Sequence, residues 1–112
     1  MGLFDLLFSR GRTSDLISRL AAKIANDSHR TVWNRVSHRV LAMRLNEARG
    51  YVRARAAQCI HAEVEQVLRR NPQLSLRAQA DLVTRATDQV VGLVIRDVLV
   101  TPAEAVTRRR AA

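Results

Sequence analysis

Apolar residues recur along this chain in steps of three and four, the period of an α-helix rather than of a strand. Between Thr31 and Arg70, Val32, Val36, Val40 and Met43 form one stripe with Trp33 on its edge. A second series, Leu41, Leu45, Ala48, Val52, Ala56, Ile60, Val64 and Val67/Leu68, keeps the period on a shifted face. Two faces predict two neighbours. Gly50 falls where the first series fades, and a glycine inside a helix costs about 1 kcal/mol relative to alanine. The stretch is therefore expected either as one long helix, straight or kinked at Gly50, or as two shorter collinear helices.

Upstream, Thr13-Ser14-Asp15 supplies N-cap chemistry, and Leu16, Ile17, Leu20, Ala21 and Ile24 follow at helical spacing. Asp15 and Arg19 stand at i,i+4, where they would pair. The polar triplet Asn26-Asp27-Ser28 is expected to end this helix (14–25) and turn the chain into the long stretch. Downstream, Asn71-Pro72-Gln73-Leu74-Ser75 is the clearest loop: proline forbids helix, Asn71 tolerates the left-handed conformation and Ser75 is a good N-cap. Leu76, Ala80, Val83, Val90/Val91, Val94 and Val98 then mark the expected buried face of a last long helix, with Asp81 and Arg85 paired on its surface. The β-branched run over 90–95 leaves a short buried strand as the alternative, although no partner strand is in sight. Thr101-Pro102-Ala103-Glu104 has the form of a capping box with proline at the first helical position, and Arg108-Arg109-Arg110 adds a basic tail.

The expected fold is all-α: a small bundle built on a long central helix and a C-terminal helix that form an antiparallel hairpin. It divides into an apolar tip (1–12), a helical domain (13–101) and a short helix with a basic tail (102–112). With 112 residues, 47% hydrophobic but only 4% aromatic, the interior is made mostly of valine and alanine. Such thin rods are expected to lean on a second copy, so a homo-oligomer follows. The single cysteine, Cys59, allows no internal disulfide and fits a reducing cytoplasm. No run reaches the roughly 20 apolar residues of a spanning helix.

Charge changes the picture more than composition does. The chain carries a formal +9, and Arg35, Arg39, Arg44, Arg49, Arg53, Arg55, Arg69 and Arg70 against Glu47, Glu63 and Glu65 place +5 of it on Thr31–Arg70. On one continuous helix Arg35, Arg39, Arg49 and Arg53 would fall within about 80° of one another. That stripe is either a solvated face or a surface for a polyanion, nucleic acid or anionic lipid. No aromatic side chain is expected to interleave it as a base-stacking platform.

The first ten residues place Leu3, Phe4, Leu6, Leu7 and Phe8 around Asp5 and end in Ser9-Arg10. They lack the basic n-region and small-residue cleavage pattern of a signal peptide. Leu6 occupies the position where a myristoylation signal needs Ser or Thr. Met1, Leu3, Asp5, Ser9 and Arg10 with apolar residues between them resemble the opening of the bacterial MinE division-site family, whose amphipathic N-terminus binds membrane. The strand pattern of that family's topological domain is not found beyond Lys23, so the resemblance implies only a membrane-contacting tip. Leu3, Phe4, Leu7 and Phe8 would enter the headgroup boundary while Arg10 and Arg12 meet anionic lipid. The alternative is that the tip plugs the bundle or a dimer interface.

Nothing points to catalysis. His29, His38 and His61 share no ligand spacing, and His61 with Glu65 gives two metal ligands without a third. The glycines form no phosphate-cradling loop and the carboxylates are scattered. The chain is expected to be no enzyme, with no cofactor, no metal and no small-molecule substrate. Its expected role is that of a helical interaction or scaffold protein, cytoplasmic or peripheral at the inner face of a membrane, self-associating and touching anionic lipid through tip and arginine stripe. The alternative is a small basic protein that binds nucleic acid through non-specific phosphate contacts.

Overall fold

The apolar stripes resolve into three α-helices: α1, Leu3–Val40; α2, Leu45–Arg70; and α3, Leu76–Val100. This computed structural model describes the backbone of residues 3–101 and the side chains of residues 12–101. The expected short helix and basic tail over 102–112 lie outside the described residues. Ser18 on α1 meets Arg85 on α3, and His29 meets Asp97, so α1 and α3 run in the same direction. The tight turn over 41–44 and the loop over 71–75 send α2 back between them, antiparallel to both. The all-α bundle and its antiparallel C-terminal hairpin are present, and each helix packs on the other two.

Where the long rods begin and end differs from the sequence expectation. α1 does not stop at Asn26-Asp27-Ser28 but runs through them to Val40. Asn26 and Asp27 are exposed and Ser28 is buried, which keeps Ile17, Ala21, Ile24, Ala25, Ser28, Val32, Val36 and Val40 on one covered stripe. Asn, Asp and Ser cost a helix only tenths of a kcal/mol each, and a continuous buried stripe outweighs that. The chain reverses instead over 41–44, and α2 passes through Gly50 without interruption. No proline or glycine marks the reversal; it falls where the stripe ending at Val40 gives way to the out-of-phase stripe beginning at Ala48. Folding back there lets both faces meet one interior.

α2 buries Ala48, Val52, Ala56, Ile60 and Val64, the second series as expected. Asn71 ends it without entering the left-handed region: its φ is −131°, and its side-chain amide donates to the Val67 carbonyl at 2.9 Å. Ser75 caps α3 by accepting from the Ala78 amide at 3.1 Å. Leu74 is buried just ahead of this cap, and the Gln79 amide donates to its carbonyl.

This entry sets the phase of α3, whose inward face is Leu82, Ala86, Thr87, Val90, Val91, Val94 and Ile95. Leu76, expected inside, is 82% exposed, and Ala80 is exposed as well. The 90–95 run is helix, and no strand occurs among the described residues.

The expectation that valine- and alanine-lined rods leave their faces uncovered also changes. Val32, Val36, Val40, Val52, Ala56, Ile60, Val90 and Val94 each have 0% exposure within a single copy. Three mutually packed helices close the interior that two would leave open, and Trp33, Tyr51, Val67, Leu68 and Leu93 pack around its edge.

Candidate functional site

At 1.5 Å per residue α1 is about 57 Å long, against about 39 Å for α2 and 38 Å for α3. Its last turns therefore stand beside the opening turns of α2. Val32, Val36 and Val40 turn inward there, and so do Ala48, Val52 and Ala56. Helical period then sends Arg35, His38 and Arg39 to the α1 side of the seam. Tyr51, Arg55 and Gln58 come from α2 to meet them. With Asn34 these residues line an open hollow of about 440 Å³.

Arginine supplies the charge of the hollow. No carboxylate lines it, and among the described residues Arg35, Arg39 and Arg55 take part in no ion pair. The guanidinium carbon of Arg55 lies 5.5 Å from the centre of the Tyr51 ring, a cation–π contact on a half-buried aromatic. Arg35 and Arg39 stand one turn apart, where like charges cost an isolated helix about 0.2–0.5 kcal/mol. Three guanidiniums with no counter-charge make a place where an anion would be favoured.

Only half of the expected stripe meets here. Arg35 and Arg39 line the hollow, but the break over 41–44 puts Arg49 and Arg53 on a separate, antiparallel helix. Arg53 turns to α3 and pairs with Asp88 at 2.8 Å, and exposed Arg49 lies one turn before it on the same flank. Arg55, Tyr51, His38, Asn34 and Gln58 were not among the expected site residues. Tyr51 does not lie within the expected stripe, but the reversal brings it from α2 beside Arg35 and Arg39. The i,i+4 spacing of Tyr51 and Arg55 was visible in the sequence, but their meeting with Arg35 and Arg39 needed the reversal between α1 and α2.

The other expected contacts divide similarly. Leu3, Phe4, Leu7, Phe8 and Arg10 lie outside the described side chains, and Arg12 is exposed. Asp81 and Arg85 pair as expected at 3.1 Å, whereas Asp15 and Arg19 do not. Among the described residues no group of three or more His, Cys, Asp or Glu side chains gathers as a metal site. No helix there is long and apolar enough to cross a membrane.

A wider hollow of about 700 Å³ opens at the other end of the bundle, between Thr13, Ser14 and Ile17 of α1 and Ser75, Arg77 and Asp81 near the start of α3. Its Asp81 carboxylate opposes an anion, and its Ser75 hydroxyl already caps α3. The α1–α2 hollow is smaller, but its lining gathers three arginines and no carboxylate. No protein-family model, curated protein or solved structure matches this chain.

Proposed function

We propose that this chain is a non-enzymatic helical interaction protein that binds nucleic acid through phosphate contacts on the α1–α2 flank. The reading rests on one observation: Arg35, Arg39 and Arg55 share a hollow with no carboxylate to neutralise them. Guanidinium forks match phosphate oxygens and stay charged at every working pH, so an unneutralised set of them suits a phosphate backbone. Neutralising three phosphates releases counter-ions, giving a slope of log affinity against log salt of about −2 on a single strand.

The test is fluorescence anisotropy of a labelled oligonucleotide titrated with the full chain at several salt concentrations. Replacing Arg35, Arg39 and Arg55 together by Gln should weaken binding and make the salt slope shallower by about 2. No binding at low salt, or identical slopes for parent and variant, sinks the reading.

A second reading, contact with an anionic membrane, is favoured by one feature of α1. That helix takes in the whole Leu3–Phe8 run, so the apolar tip is helical, the form in which an amphipathic segment lies in a headgroup boundary. The tip and the arginine hollow cannot act as a single lipid-binding patch on an upright molecule, because Phe8 and Arg35 are about 40 Å apart along the helix. Deleting residues 1–8 should abolish pelleting with anionic vesicles while helicity persists. Unchanged pelleting removes this second reading.

A further inference from the structure

We propose that the α1–α2 hollow is a nucleotide-stacking subsite, so that the preferred ligand is single-stranded: one base lies against the Tyr51–Arg55 pair while Arg35 and Arg39 hold adjoining phosphates. The inference rests on the phosphate-binding reading above and adds to it what lies between the phosphates. Tyr51 is the only tyrosine in the chain, and it sits half-buried on α2 within the cationic hollow. The Arg55 guanidinium carbon lies over its ring, 5.5 Å from the centre, so a base meets the pair either by stacking on the outer face of the guanidinium or by taking its place over the ring.

A hollow of about 440 Å³ lies within the range of roughly 300–1,000 Å³ that accommodates small organic ligands. Arg35 and Arg39 are one turn apart, about 6 Å of rise along α1, and both line the hollow beside the Tyr51–Arg55 pair. The amides of Asn34 and Gln58, each offering donors and an acceptor, complete the rim where base edges would come to rest. A duplex keeps its base faces stacked on one another and can offer this hollow only phosphates. A single strand offers both phosphate and ring, and base–aromatic stacking tolerates any sequence because every base has a π-face.

The inference is tested by the affinities of a pyrimidine strand of about 24 nucleotides and of a blunt duplex of about 12 base pairs, which has a similar number of phosphates and no unpaired loop. The parent chain should prefer the strand. Tyr51→Leu should cost about 5- to 150-fold on the strand, the range for one stacked base, and change duplex affinity less than about twofold. Tyr51→Phe, which keeps the ring, should restore strand binding. Arg55→Lys keeps the charge but loses the plane, and should narrow the strand-over-duplex preference.

Equal affinity of the parent for both probes, or an equal loss on both in Tyr51→Leu, overturns the stacking subsite. The phosphate reading survives in that case if the triple Gln variant still loses binding. Absence of binding to either probe defeats both, as does capture of anionic vesicles through the same arginines without any oligonucleotide binding. Should Tyr51→Leu lose helicity by circular dichroism, Arg55→Lys decides the matter, and an unchanged strand preference in it overturns the proposal.

Discussion

Ser28 carries a buried hydroxyl that has no hydrogen-bond partner among the described residues. It sits on the covered stripe of α1 with 3% exposure, where an alanine would complete the apolar surface. An unpaired buried hydroxyl costs on the order of 1 kcal/mol or more, and alanine is also the better helix former. Ser28→Ala is therefore expected to raise the free energy of unfolding by about 1 kcal/mol, read from urea melts followed by circular dichroism; a decrease would mean the hydroxyl has a partner after all. Gly50 offers a second gain, because a Cβ added there meets nothing within 4 Å and the backbone is helical throughout. Gly50→Ala should stabilise by up to about 1 kcal/mol in the same melts, and a loss would show that α2 needs to bend at that point. Both residues show why local chemistry misplaced the breaks. Asn26, Asp27, Ser28 and Gly50 are poor helix residues taken singly, yet each deficit is smaller than the burial of the valines and isoleucines on either side of it.

Among the elements, the buried series of α2 was legible almost residue for residue, because Ala48, Val52, Ala56, Ile60 and Val64 repeat without a competing stripe. α3 was ambiguous at its start, since Leu76 and Ala80 form a stripe as plausible as Leu82 and Ala86. Leu74 and the Ser75 cap settled the phase, a choice made by tertiary packing and not by period. The reversal over 41–44 was written as a phase shift between two apolar series, a signal equally compatible with one rod that touches two neighbours. Continuity of α1 across Asp27 has a direct test. Proline inside a helix removes a backbone bond and clashes with the preceding turn, so Asp27→Pro should destabilise by about 3 kcal/mol or more. Thermal melts showing little effect would instead support a turn at 26–28. Contacts such as His29 to Asp97, 2.5 Å across 68 residues of sequence, left no trace in local pattern and needed the fold to appear.

At the scale of the whole molecule, the described parts of the three helices hide their own valine faces, and what they leave outside is mainly polar or charged. Among the described residues the exposed large apolar side chains are Leu45, Leu76, Leu99 and Val100, with Leu76 at the opposite end of α3 from Leu99 and Val100. Excess arginine is therefore the surface's main resource, and on the α1–α2 flank it works against the fold that displays it. Arg35 and Arg39 repel one another at i,i+4, and Arg55 adds a third charge to the same hollow, with no carboxylate to offset them. If these arginines are kept for a ligand, binding and stability must respond in opposite directions. The Arg35→Gln, Arg39→Gln, Arg55→Gln variant should melt at or slightly above the parent's temperature at low salt, where repulsion is least screened, and the difference should shrink as salt rises. Saturating single-stranded oligonucleotide should raise the melting temperature of the parent, because a ligand that binds only the folded chain stabilises it by mass action, and should leave the variant unmoved. A variant that melts well below the parent without ligand would mean that the three arginines help to hold α1 against α2, and the hollow would then be part of the scaffold and not a binding surface.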